Sequence, residues 1–206
     1  MKKLSLILET NWKSQAKPKH LNNTLTQHYS KYNDEDKDII HHYTTSSEDM
    51  NNYAWERHQD KKYPIKINHE SNQEDMDVAL NRHKTPHKLS VYSGIKYDPR
   101  NKMDSKGVVE HPAYLSSSLH KHTAKFFSGT DITDKNVVGH VLKINVPKGH
   151  PGGYVEHHTN NPGEEEFILP RGTKLKYRGT QTHQVPYGGV INPATTVHEH
   201  SMDIVK

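Results

Sequence analysis

At Pro86 the spacing of apolar residues changes, and that change limits what the chain can fold into. Upstream, apolar side chains recur at helical intervals: Ile39, Ile40 and Tyr43, then Met50, Tyr53 and Ala54, then Met76, Val78, Ala79 and Leu80. This spacing predicts two short helices over 34–57, joined by a capped turn at Ser46-Ser47, and a third over 72–83 that Pro86 ends. Downstream, apolar and polar residues alternate, as in strands with one buried face. "KLSVYSGIKY", broken by Gly94, is the first such run; "AYLSSSL", "VVGHVLKINVP", "EEEFILP", "TKLKYRGTQ" and "TTVHEHSMDIV" follow, and only "HKHTAKFF" between them has helical spacing. Helices first and mainly antiparallel strands second predict an α+β fold. Residues 1–33 read as a polar N-terminal extension, a short strand and a loosely packed helix, and 34–206 as a single domain.

A chain of 206 residues can bury a real core. Hydrophobic residues make up 31% and the mean hydropathy is −1.02, yet the charged fraction of 25% is ordinary, so the reading is a wet but folded domain. The net charge of +4 is spread without a basic block, which leaves a nucleic-acid partner unsupported by any stripe or stacking motif despite eleven tyrosines. Cysteine is absent, so disulfides and thiolate metal sites are excluded. The apolar start Leu4 to Leu8 is cut by Glu9, shorter than the roughly 7 residues a signal-peptide core needs, and no run approaches the ~18 apolar residues of a membrane helix. The expectation is a cytoplasmic protein with no membrane partner.

The segment "PGEEEFILPRG" places three glutamates directly before an apolar run. If the strand begins at Glu164, alternation puts Glu164 and Glu166 on one face and Glu165 on the other. Paired carboxylates hold a negative potential and raise one another's pKa. That suits a substrate that develops positive charge, such as an anomeric carbon passing through an oxocarbenium-like state. Spacing alone favours the plainer alternative, a solvated strand end carrying three surface acids. The preceding loop, Gly149 to Gly163, is of the order of the ~12–15 residues that are uncommon inside compact domains, and loops of that length are commonly functional.

"GEEEFILPRGTKLKY" resembles the Glu-x-Glu motif of mono-ADP-ribosyltransferases of the bacterial-toxin and phage type. "YLSSSLHKHTAKFF" is similar to that family's Ser-Thr-Ser strand and following helix. "IIHHYTTSSEDMNNY" is similar to its upstream helix with Tyr-Thr and a later Asn, and "VLKINVPKGHPGGYV" to the strand leading into its substrate-recognition loop. The resemblance covers about Ile39 to Val205. It implies two packed, mainly antiparallel sheets around an NAD cleft, with NAD as substrate and no metal in the reaction. By the same resemblance Glu166 stabilises the oxocarbenium as nicotinamide leaves, Glu164 orients an arginine acceptor, and Ser116 fixes the rotamer of Glu166. Ser118 shares the face of Ser116, Ser117 stands for the middle threonine, and Tyr154 touches the protein substrate. Tyr92, Ser93 and Gly94 fall on a Tyr-Arg-Gly segment that meets NAD, with Gly94 approaching the nicotinamide amide through its backbone.

Ser93 departs from that pattern, because a hydroxyl cannot replace a bidentate cation on a diphosphate. Arg57, Arg82 and Arg100 are candidate substitutes, with Arg82 first because it precedes the strand. A departure of this kind also leaves open a binding protein with the fold but without the chemistry. The implied partners are NAD and arginine-bearing proteins, with phage enzymes acting on host transcription or translation proteins as the nearest setting. Eighteen histidines include the alternating His198-Glu199-His200, where two imidazoles share a face and would hold zinc if a third ligand arrived. No motif with metal-ligand spacing accompanies them, and no metal site is expected.

Overall fold

The computed structural model of the protein describes residues 19–59, 67–130, 138–187 and 190–206. The short strand expected near the N-terminus lies outside them. Helix α1 spans Lys19–Tyr29, α2 Asp34–His58 and α3 Ile67–Arg82. The Asn33 side chain caps α2 by accepting from the Asp36 amide at 2.7 Å, and Asp34, Glu35 and Asp36 in the first turn complement the helix dipole. The two helices expected over 34–57 form one helical run interrupted at Ser46, whose φ of −136° and ψ of 39° are not helical. In α3, Met76, Ala79 and Leu80 are fully buried but Val78 is exposed. At ~100° per residue, a side chain two positions from Met76 projects to the far side of the helix, so Val78 does not join the expected apolar face.

After α3 come β1 (Leu89–Ile95), a 3₁₀ turn (Pro99–Lys102), β2 (Val108–His111), β3 (Leu115–Ser118), α4 (Lys121–Lys125) and a π turn (Phe126–Thr130). The chain continues through β4 (Gly139–Val146), β5 (Gly153–Tyr154), β6 (Glu166–Leu169), β7 (Thr173–Tyr187) and β8 (Val190–Val205). The strands form one sheet in the order β2-β7-β8-β4-β1-β3-β6-β5, antiparallel except for β4 with β8. The α+β class and antiparallel pairing are as expected. The two expected sheets are present as blocks of five and three strands, joined into one ladder by the single pair Tyr92↔Ser118 between β1 and β3.

Helices α1 to α3 cover one face of the sheet. Leu25, Tyr29, Ile40, Tyr43, Met50 and Leu80 pack there with Val91, Ile144 and the run Phe167-Ile168-Leu169. Burial of each such aliphatic side chain contributes about 1.5–3 kcal/mol. Leu25, Tyr29 and Tyr32, which precede Asp34, belong to that same core. On the opposite face a smaller cluster of Tyr92, Ala124, Val141, Val185 and Val197 sits under α4. A Cβ placed on Gly94 would lie 2.1 Å from the Ala124 carbonyl oxygen and 2.6 Å from the Ser128 amide, so glycine is what lets α4 and the π turn rest on β1. Arg171, in the turn after β6, ties that turn to α3 through Asp77 at 2.7 Å and Gln73 at 2.9 Å.

Candidate active site

Where the two strand blocks meet, a cleft of about 430 Å³ opens between β1, β3, the start of β6, α2 and the π turn. Of the residues singled out from the sequence, Glu166, Glu164, Ser116, Ser117, Ser118, Tyr92, Ser93 and Gly94 line it, and Arg82, Arg57, Arg100 and Tyr154 do not. The glutamates reach it by a route that simple alternation does not describe. Glu165 adopts a left-handed backbone with φ of 46°, so the chain turns there and the strand begins only at Glu166. The turn is held on every side. The Ser118 hydroxyl donates to the Glu164 carbonyl at 2.6 Å, the Leu119 amide donates to the Glu165 carbonyl at 3.0 Å, and His120 meets the Glu165 carboxylate at 3.0 Å. Glu165 is thereby turned toward His120 while Glu164 and Glu166 both face the cleft.

Glu166 is only 8% exposed. Burial pushes its carboxyl up to about 7; the neighbouring charges of Glu164 and Glu156 add to the rise, while hydrogen bonds from Ser116 and Thr159 oppose it. Burial also raises Glu164, helped by Glu156. Behind Ser116 runs a polar chain. The Tyr43 hydroxyl lies 3.1 Å from the Ser116 hydroxyl, the Asn51 amide donates to Tyr43 at 3.1 Å, and the Asn51 oxygen accepts from the Tyr114 amide at 3.1 Å. A carboxyl held by a fixed hydroxyl, itself fixed from the fully buried Tyr43, has little rotamer freedom.

Tyr43, Asn51, Glu156 and Thr159 were not assigned roles from the sequence. Glu156 closes the long loop on itself, its two carboxylate oxygens accepting from the Gly163 amide at 2.6 Å and the Glu165 amide at 2.7 Å. It is the one acid between Gly149 and Gly163, and that isolation was the available signal.

Three expectations change with the geometry. Arg82 pairs with Asp36 at 2.8 Å and lines a different cavity, between α2 and α3, where Glu35, Asp38 and Asp75 would repel a diphosphate. It therefore does not supply the cation that Ser93 lacks. Arg57 is paired with Glu70 and Arg100 with Asp98, and no lysine or arginine lines the cleft among the described residues. Tyr154 is 4% exposed, locked opposite Phe167 in the β5–β6 ladder, so its ring is not presented to a protein substrate. Ser118 serves the Glu164 turn, and the Ser93 hydroxyl donates to the Ser116 carbonyl at 2.8 Å, stitching β1 to β3.

Two acids on one cleft wall, a serine bonded to the buried one, and the segments in their expected order coincide with a known sequence family. Residues 9–198 match the family described as ADP-ribosyltransferase exoenzyme. The chain belongs to that family. A curated relative, the NAD(+)–arginine ADP-ribosyltransferase EFV of Enterococcus faecalis, is 29% identical over 104 residues, half of this chain and 20% of its own, so the chain spans about a fifth of that relative's length. Among solved ADP-ribosyltransferase structures, the fold is similar to Plx2a from Paenibacillus larvae, with a TM-score of 0.66 at 21% identity over 91% of this chain and 96% of that one. It is likewise similar to C3stau2 from S. aureus, solved with NAD, with a TM-score of 0.61 at 19% identity over 98% and 96%. The C2-I component of the Clostridium botulinum C2 toxin gives a TM-score of 0.69 at 15% identity, over 89% of this chain and 46% of that one. NAD is the substrate on which ADP-ribosyltransferase toxins of this fold act.

Proposed function

We propose that the protein transfers ADP-ribose from NAD to arginine side chains of other proteins, releasing nicotinamide. The observation that carries this reading is the convergence of Glu164 and Glu166 on one cleft wall. The bond from the ribose anomeric carbon to nicotinamide breaks, and its electron pair leaves with nicotinamide. Glu166, fixed by Ser116, stabilises the positive charge left on the sugar. Glu164, at the cleft rim, holds the incoming guanidinium by charge-assisted hydrogen bonds and receives the proton released as nitrogen bonds to carbon. The arginine preference named for the Enterococcus relative supports the same acceptor. We extend the reading to host transcription or translation proteins as acceptors and to action in a bacterial cytoplasm, in line with the resemblance to phage enzymes.

A second reading has its own observation. Without a lysine or arginine on the cleft among the described residues, the diphosphate lacks a direct counter-charge, which favours a weakly active or inactive binding protein of the same fold. One experiment separates the two. The purified protein is incubated with labelled NAD and a bacterial lysate beside Glu166→Ala and Glu164→Gln. Labelled bands lost with Glu166→Ala, together with NAD cleavage but no arginine transfer by Glu164→Gln, establish the transferase. Absence of labelling and of nicotinamide release from the unaltered protein rules out the transferase and leaves the binding reading, which a rise in melting temperature on titration with NAD then tests.

A further inference from the structure

His140, His200 and Asp98 come from three separate elements and meet at one end of the central strands. None of them lines the NAD cleft. One donor atom of each lies within 4.8 Å of the other two. His140 stands on β4, directly opposite His198 on the parallel β8, and His200 follows two residues on, so all three imidazoles share a face. The His140 and His200 rings stack at 5.2 Å with an interplanar angle of 16°, and His140 Nδ1 lies 2.9 Å from His200 Nε2. Asp98 arrives from the segment between β1 and the 3₁₀ turn.

We propose that Asp98, His140 and His200 form a binding site for a divalent transition metal of the zinc class, with water completing the shell. A tetrahedral ion with bonds of ~2.1 Å separates its ligand atoms by ~3.4 Å. The 2.9 Å His–His separation and the 4.8 Å outer limit bracket that value, so small rotations of the partly exposed His140 and Asp98 side chains suffice. The surroundings supply what metal-bound imidazoles need. Nδ1 of His200 lies 2.8 Å from the Thr180 hydroxyl, an arrangement that orients the fully buried ring and leaves Nε2 aimed at His140. Asp98 is held by Arg100, whose side chain is 47% exposed and can swing to solvent when a cation arrives. ADP-ribosyl transfer itself needs no metal, so the ion acts structurally, clamping the end of β1 to the β4–β8 pair. The sequence held no ligand-spacing motif because the donors lie at 98, 140 and 200 and are brought together only by strand order.

The test is a zinc titration of the full chain by calorimetry, with cobalt as a spectroscopic substitute that reports tetrahedral nitrogen and oxygen ligation. The expected result is a single site, weakened at least about 10-fold by His140→Gln, by Asp98→Asn and, through lost ring orientation, by Thr180→Val. The paired control His41→Gln and His42→Gln, on the exposed side of α2, leaves that site unchanged. Each variant is melted with chelator present; if His200→Gln does not fold, His140→Gln and Asp98→Asn, whose side chains are only half-buried, carry the test. Binding that is absent, or that is multiple and insensitive to His140→Gln and Asp98→Asn, means adventitious chelation by surface histidines and overturns the proposal.

Discussion

At the scale of single residues, Glu166 carries the sharpest consequence. Its folded pKa of about 7 lies above the ~4.3 of an unfolded glutamate. The folded state therefore holds the proton more tightly, so stability is greatest below the unfolded value and is lost as pH rises toward 7. Glu166→Gln removes that loss: the variant is expected to melt higher than the parent at pH 8, by the equivalent of roughly 3–4 kcal/mol, with the gap closing near pH 4. Chemistry runs the other way, since only the ionised carboxylate stabilises an oxocarbenium. On the proposed function, kcat/KM for NAD cleavage rises with pH along a single ionisation near 7. A flat profile between pH 5 and 8 would sink this assignment of Glu166. Both carboxylates and Ser116 were legible in the sequence because a short motif holds them. Tyr43 and Glu156 were not, since Tyr43 meets Ser116 across 73 residues and Glu156 acts on backbone amides that no side-chain pattern marks.

At the scale of elements, Gly94 and Arg171 make separate predictions. Gly94→Ala drives a methyl group into the backbone of α4, where no flexible side chain can yield, and should cost at least about 2 kcal/mol in thermal or urea unfolding. A loss of NAD binding with unchanged stability would instead mean that the glycine serves only the ligand. Arg171→Ala removes the bonds to Asp77 and Gln73 that fasten the β6–β7 turn to α3. With the arginine partly exposed, the expected cost is about 1–2 kcal/mol, read from the urea midpoint at constant slope. Strands β1, β3, β4 and β6 were visible from alternation to within a residue or two. The two-residue β5 is too short to alternate, and β2 sets its two apolar residues, Val108 and Val109, side by side before Glu110 and His111 instead of alternating them. The β7–β8 arm runs through Pro186 and Pro193, residues that argue against a strand in sequence yet are tolerated on a hairpin arm beyond the main sheet.

At the scale of the whole molecule, the net charge of +4 is not concentrated where NAD would bind. Affinity resting on shape and uncharged hydrogen bonds responds weakly to ionic strength. The dissociation constant for NAD should change less than about twofold between low and physiological salt, measured by calorimetry. A steep dependence would reveal a cation reaching the diphosphate from elsewhere in the chain. The helical layer followed by a strand layer was readable from the change of period at Pro86. The joining of the two strand blocks was not, because it rests on one backbone pair and one serine hydroxyl.

That joint has a mechanical meaning. Gly94 and Tyr92 ride on one side of it and Ser116 and Glu166 on the other, so the cleft is a pair of jaws with its pivot at Tyr92–Ser118. Amides beside the pivot should trade hydrogen for deuterium through small local openings, while those of Val91 and Ile144, zipped along the seven-pair β1–β4 register, wait for the whole fold to come apart. A ligand that spans both jaws would slow the first class of amides and leave the second untouched.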